Sequence, residues 1–216
     1  MRALVLLSGG MDSAVCLYRA VSDCGADEVE AVFFDGGQRA LTQEIDAARS
    51  LCRAAGVAEP VPVELDFPYG GVLTEPGAGM AAGRTPREIA AAGVADTFFP
   101  GRNLVMLAHA FGIAAARKFD RIYFGPNADD AAGYPDCRRE CLLEMERACR
   151  LGTDTEVELA VPLIGMSKDH VVEAGDRLGV PWEMTFSCYA PVDGAPCGTC
   201  DSCILRTDAV RRRRPL

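Results

Sequence analysis

The sequence predicts an α/β fold, a Rossmann-like doubly wound parallel sheet with helices on both faces, on three observations. Short apolar runs alternate with longer segments of helical periodicity along most of the chain. The first run, Ala3-Leu4-Val5-Leu6-Leu7, leads straight into Ser8-Gly9-Gly10-Met11-Asp12-Ser13 and a helix-compatible stretch. That strand–loop–helix junction occupies the place where such sheets bind ligands, beyond the carboxyl ends of their strands.

Taken in order, strands are expected at residues 2–7, 28–35, 61–65 and 121–125, with a weaker one at 157–160. Helices are expected at 12–24, 38–55, 103–119, 137–151 and 168–178. Leu41, Ile45, Ala48 and Leu51 recur at helical spacing, as do Leu104, Leu107, Ala108, Phe111 and Ala115, and both stripes are expected to face the core. Gly25, Gly56, Gly152 and Gly179 fall just past helix ends, where a left-handed cap is expected. Residues 68–100, rich in glycine and proline, break the rhythm and are expected to form a lid-like excursion bordering the site. The chain divides into a main domain at 1–184, a four-cysteine segment at 185–210 and a basic tail at 211–216.

With 216 residues, 49% hydrophobic and 25% charged, the chain can bury one good-sized core and carry a small appended module. The net charge of −9 argues against a surface built mainly for nucleic acid. Arg211-Arg212-Arg213-Arg214 is a local exception, and removing it leaves −13 on the rest; such a run reads as a solvated tail. The apolar run after Arg2 is too short for a signal peptide, and residues 104–116 are too few to span a bilayer, so no membrane association and a cytoplasmic location are expected.

The Ser-Gly-Gly loop carries the chemistry. It points backbone N–H groups and the positive end of a helix dipole at one spot, which suits a phosphate. Gly9 and Gly10 permit close approach of the main chain, and Ser8 and Ser13 add hydroxyls. Asp12 would repel a phosphate unless Mg²⁺ bridges the two, as Mg²⁺ does between carboxylates and substrate phosphates. The loop matches neither the Gly-x-x-x-x-Gly-Lys-Ser/Thr nor the Gly-x-Gly-x-x-Gly pattern.

Nine of the ten cysteines fall into two populations. Cys16, Cys24, Cys52, Cys141 and Cys149 are scattered through helix-like segments and read as small buried hydrophobes. Cys188, Cys197, Cys200 and Cys203 cluster at x8, x2 and x2 spacings. Four thiolates with no open position suit a structural zinc ion. An iron–sulfur cluster is the competing ligand, although Ile204-Leu205-Arg206-Thr207 does not provide the ferredoxin x3-Cys-Pro ending. His109, on an apolar helix, is expected to be a satisfied core histidine; Ser167 reads as a helix N-cap and His170 as an ordinary first-turn residue.

The loop, residues 8–13, resembles the PP-loop of the N-type ATP pyrophosphatases, of adenine-nucleotide alpha hydrolase fold. Further matches run nearly end to end: Phe34-Asp35 with Gln38-Arg39, Pro100-Gly101-Arg102-Asn103, Gly133-Tyr134-Pro135-Asp136-Cys137-Arg138, Ser187-Cys188-Tyr189 and Cys197-Gly198-x-Cys200-Asp201-Ser202-Cys203-x-x-Arg206. Together they resemble the 7-cyano-7-deazaguanine synthase family of queuosine biosynthesis. The resemblance implies a ligase that turns 7-carboxy-7-deazaguanine and ammonia into the nitrile through two adenylations, with ATP as co-substrate, Mg²⁺, structural Zn²⁺ and a homodimeric assembly.

Residue by residue, the resemblance implies that Leu7, Ser8, Gly9, Gly10, Met11, Asp12 and Ser13 hold ATP, with Asp12 directed to Mg²⁺. Asp12, Arg102 and Lys168 become the catalytic set. Gln38, Arg39, Arg102, Asn103, Asn127, Tyr134, Asp136 and Arg138 become the substrate-binding set. Asn127 and Asp136 have the donors and acceptors to read a guanine-like edge. Two stretches depart from the family pattern. Gly36 and Ala40 stand for a tyrosine and a histidine, and Ala131 and Ala132 follow Asp130 where the family has Tyr-Ser. A paralogue that joins a deazaguanine-type acid to another amine therefore stays open, as does a tRNA-modifying enzyme that uses the arginine tail.

Overall fold

The computed structural model describes residues 1–67, 71–75 and 77–213. Five strands, β1 (Ala3–Leu6), β2 (Val29–Asp35), β3 (Val61–Glu64), β4 (Arg121–Tyr123) and β5 (Glu158–Ala160), form one parallel sheet in the order β3-β2-β1-β4-β5. Each lies inside the run expected for it. Among the described residues eight α-helices accompany them: α1 (Met11–Cys24), α2 (Leu41–Ala55), α3 (Pro86–Ala91), α4 (Arg102–Arg117), α5 (Asp130–Gly133), α6 (Arg139–Thr153), α7 (Lys168–Leu178) and α8 (Asp201–Arg212).

The central strand organises the packing. Every residue of β1 is buried, and alternation sends its side chains into two separate cores. Ala3, Val5 and Leu7 join residues of α1, α2 and α7, while Leu4 and Leu6 join Leu107 and Phe111 of α4 and Leu142 of α6. Strand order also reverses at β1, with β2 on one side and β4 on the other. A crevice opens beyond the carboxyl end of a strand at such a switch point, and Ser8 lies there.

Several local expectations are corrected. The second helix begins at Leu41 rather than 38, because the Gln38 amide folds back onto the Phe34 carbonyl and the Gly36 N–H. Gly56 and Gly179 are left-handed caps, but Gly25 is extended in ψ and Gly152 lies within α6, whose left-handed cap is Asp154 (φ +53°). The core face of α4 is Leu107, Ala110, Phe111 and Ala114; Ala108 and His109 lie on its exposed side, where His109 Nδ1 is 3.0 Å from the Val105 carbonyl oxygen. Helix α8 was missed because its buried face is only Cys203 and Ala209, which makes no hydrophobic stripe. The basic run is not wholly a solvated tail. Arg212 pairs with Asp208 and Asp169, and Arg213 with Asp176; residues 214–216 lie outside the described residues.

The excursion docks onto the four-cysteine segment. Gly83 N–H donates to the Thr199 carbonyl at 2.8 Å, and the Arg84 guanidinium forks onto Asp201. Its other end is tied to the main domain by Arg39, whose N–H donates to the Leu73 carbonyl and whose guanidinium reaches the Ala78 carbonyl.

Helix α7 sits on α1 and the Trp182 ring, and Gly175 is the point of closest approach. A Cβ there would lie 2.2 Å from Trp182 Cζ2 and 3.1 Å from Val15 Cγ2, while the indole is held by its N–H to Asp176 at 2.7 Å. Gly175→Ala should therefore cost about 1–3 kcal/mol of overpacking, more than the helix propensity it gains. Gly152→Ala, which meets nothing within 4 Å, should stabilise by up to about 1 kcal/mol. Thermal unfolding of the two variants should shift in opposite directions.

Candidate active site

The β1–α1 loop is held from three sides. Gly9 adopts φ +79°, and a Cβ there would lie 2.5 Å from the Glu44 carbonyl oxygen and 3.0 Å from Ala47 Cβ, so only glycine lets α2 approach this closely. Ser13 Oγ donates to the Gly10 carbonyl at 3.0 Å and accepts the Ser8 N–H at 3.2 Å, with the two serine hydroxyls 3.1 Å apart. From the C-terminal segment, the Phe186 N–H donates to the Gly9 carbonyl at 2.9 Å. Leu7, Ser8, Gly10, Asp12 and Ser13 line a cavity of about 270 Å³. Gly9 and Met11 back the loop instead, with Met11 packed in the core.

Asp12, in the first turn of α1, anchors a charged cluster. Its Oδ2 accepts from Lys168 Nζ at 2.5 Å and its Oδ1 from the Asn127 amide at 3.2 Å. The Asn127 oxygen accepts the Asp129 and Asp130 N–H groups, and the Asp129 carboxylate accepts the Lys168 N–H at the start of α7. Ser167 is the N-cap residue, but its hydroxyl pairs with His170 Nδ1 at 2.9 Å rather than with the backbone. Burial pushes the Asp130 carboxyl up to about 6, with the Asp12 charge adding to the effect and Lys168 opposing it. Burial disfavours the Lys168 ammonium, yet the Asp12 and Asp130 carboxylates outweigh it and raise its proton affinity. Two carboxylates against one ammonium form a hard-oxygen donor set that fits a divalent cation shared with phosphates.

Arg102, at the first position of α4 behind the left-handed N-cap Gly101, lines the same cavity. Its guanidinium makes no ion pair or side-chain hydrogen bond among the described residues, and it acts on Glu44 only through space. A partly buried, unpartnered guanidinium is a receptor for an anion. Gln38, Asn103 and Tyr134 line the same cavity, with Asn103 Nδ2 on Cys137 Sγ and the Tyr134 hydroxyl 2.6 Å from that of Thr97.

Four of the expected substrate residues stand elsewhere. Asn127 is 1% exposed with both ends of its amide engaged, and its place is behind Asp12. Asp136 is 5% exposed and accepts the Asn103 N–H at 3.3 Å, steadying the start of α4. Arg39 holds the excursion, and Arg138 is exposed with its Nε–H on the Ala131 carbonyl. In their stead the cavity gains Glu44, Phe67, Phe99, Asp130 and Tyr189. Glu44 looks like any helix first-turn acid in sequence, and nothing local marks the two phenylalanines. Phe67 resolves one departure from the family pattern: a Cβ on Gly36 would lie 3.0 Å from its ring, so the missing tyrosine leaves no gap there.

The four cysteine sulfurs lie within 4.8 Å of one another. Sulfurs bound at about 2.3 Å to a tetrahedral ion sit about 3.8 Å apart, so the cluster fits a metal with little movement. Backbone N–H groups already address the sulfurs, from Cys197 to Cys188 at 3.2 Å and from Cys200 to Cys197 at 3.3 Å. Burial opposes ionisation of Cys197, but hydrogen bonds from Thr199 and Cys200 prevail and bring its thiol down to about 6. Arg206, on the same helix as Cys203, donates to the Trp182 carbonyl at 2.7 Å and to the Thr185 hydroxyl at 2.5 Å, fixing the strand of chain that carries Phe186. The cluster is thereby linked to the β1–α1 loop.

No helix among the described residues is long and apolar enough to cross a membrane. The family described as queuosine biosynthesis protein QueC matches residues 2–213. The 7-cyano-7-deazaguanine synthases of Nostoc punctiforme and Trichodesmium erythraeum are 39% and 40% identical over 97% of this chain, covering 94% and 95% of their own lengths. Among solved structures, the U34-tRNA thiolase NcsA from Methanococcus maripaludis, in a structure with its [4Fe-4S] cluster, has a TM-score of 0.49 at 17% identity, over 98% of this chain and 64% of that one. With the matched span reaching from the second residue to the edge of the described tail, the chain belongs to the QueC family of queuosine biosynthesis proteins.

Proposed function

We propose that this chain is an ATP-dependent carbon–nitrogen ligase that converts 7-carboxy-7-deazaguanine and ammonia into 7-cyano-7-deazaguanine at the expense of two ATP. The observation that carries the reading is an unpaired Arg102 guanidinium lining the same cavity as Ser8, Gly10, Asp12 and Ser13. The loop suits a triphosphate and the guanidinium an organic acid, which supports a reaction between a carboxylate and the α-phosphate. Phe67, Phe99, Phe124 and Tyr134 give the cavity flat apolar walls for a heterocycle.

A carboxylate cannot expel oxide, so its oxygen must first become a leaving group. Attack of the Arg102-held carboxylate on the α-phosphorus forms the O–P bond and releases pyrophosphate toward the loop. Ser8, Ser13, the start of α1 and Lys168 neutralise charge that develops on that leaving group. Ammonia then displaces AMP to give the amide. A second adenylation on the amide oxygen lets AMP leave again, with loss of two N–H protons, to give the nitrile. Mg²⁺, held by Asp12 with Asp130 nearby, supplies charge neutralisation when bound. Zn²⁺ on Cys188, Cys197, Cys200 and Cys203 has a structural part, because four thiolates leave no open position.

Incubation with ATP, Mg²⁺, the acid and ammonium should yield the nitrile by mass spectrometry, with two AMP and two pyrophosphates per product. ADP and orthophosphate as primary products would sink the reading. Arg102→Met should lower turnover per acid concentration about 10- to 100-fold through loss of charged hydrogen bonds, read as kcat/KM for the acid.

Elemental analysis should find one zinc per chain. Cys200→Ala should lose it, melt earlier and show a raised KM for ATP, since the Phe186–Gly9 contact slackens with the segment. Iron with sulfide in its place would overturn the zinc assignment.

Because Asp130 titrates near 6 in the folded chain and lower when unfolded, its stabilising contribution is complete below the unfolded value and is lost as pH rises through about 6. Asp130→Asn should flatten this fall. Urea midpoints measured from pH 4 to 7 without divalent ions check it.

A further inference from the structure

Glu44 is the acid of this cavity that the roles above leave unused. It projects from the first turn of α2 and lines the cavity beside Gln38 and Ala40. Among the described residues its carboxyl is bonded by Gln38 alone, Nε2 to Oε2 at 3.0 Å, so the second oxygen has no protein partner. Gln38 is itself fixed, its amide nitrogen on the Phe34 carbonyl at 3.1 Å and its oxygen accepting the Gly36 N–H at 2.8 Å. The other two acids of the cavity belong to the phosphate end, Asp12 on Lys168 and Asp130 beside them. Glu44 instead lies within electrostatic reach of Arg102, where the substrate carboxyl is assigned.

The nitrogen source raises a demand that no group above meets. In neutral water ammonia is almost all ammonium, which has no lone pair. Resting on the ligase reading, we propose that Glu44 is the general base of amide formation: it draws ammonium into the cavity and takes one proton, freeing ammonia beside the acyl adenylate. The nitrogen lone pair then forms the C–N bond, the C–O bond to AMP breaks and AMP leaves with its electron pair. A second proton is lost from nitrogen to water. Burial raises the proton affinity of Glu44 toward that task, with the Gln38 hydrogen bond and the Arg102 charge opposing it.

The test compares ammonium with hydroxylamine, a nucleophile largely unprotonated at neutral pH that yields the hydroxamate. At saturating ATP and acid, Glu44→Gln should lose at least about 100-fold more of the ammonium rate than of the hydroxylamine rate. Its residual ammonium rate should climb about tenfold per pH unit, following free ammonia. Equal losses with both nucleophiles, or an unchanged ammonium rate, overturn the role of Glu44 alone. A wild-type chain that cleaves ATP yet forms neither amide nor hydroxamate overturns the ligase reading and this role with it. Should Glu44→Gln not fold, Glu44→Asp, with its carboxylate one methylene shorter, enters the same comparison with the same outcomes.

Discussion

Everything at the site depends on one close approach, that of the Gly9 backbone to the first turns of α2. With 2.5 Å between a would-be Cβ and the Glu44 carbonyl oxygen, no side chain fits, and the positive φ would strain any other residue. The contact fixes three things together: the turn of the β1–α1 loop, the entry of α1, and the position of α2 with Glu44 in its first turn. A rigid loop at the sheet's switch point is what allows backbone groups to face a polyanion without reorganising when it arrives.

Charge is distributed across the cavity in two separate groups. At the phosphate end, Lys168 bonds Asp12 directly, and Asp130 sits close enough for its carboxyl to be raised by burial and by Asp12. Excess carboxylate around a single ammonium is costly by itself and becomes favourable with a divalent cation and phosphates. At the far end Arg102 carries an unpaired positive charge with Glu44 across from it. The two groups thus differ in kind: the carboxylates around Lys168 favour a cation, and the Arg102 guanidinium favours an anion.

The C-terminal segment acts on the site through the backbone. Arg206 fixes residues 182–185 from α8, the next residue donates its N–H to Gly9, and the excursion is fastened to the same segment through Gly83 and Arg84. Four sulfurs gathered at the root of α8 therefore brace the β1–α1 loop and the excursion at once. The sulfur cluster is thereby coupled mechanically to the cavity.

The strands, the alternation that makes the sheet parallel, the loop at residues 8–13 and the four-cysteine spacing are legible along the chain, because periodicity, glycine chemistry and ligand spacing are all local properties. Motifs on a helix start and a turn also mark Arg102 and Tyr134, and the resemblance adds Lys168. Packing between distant elements turns Asn127 and Asp136 inward, sets Phe67 beside Gly36 and brings Glu44 into the cavity. The same holds for α8, whose few buried residues leave no stripe in the sequence. The physical reason is common to these cases: whether a side chain faces a cavity or a buried partner depends on which element packs opposite it, and that element lies tens of residues away along the chain.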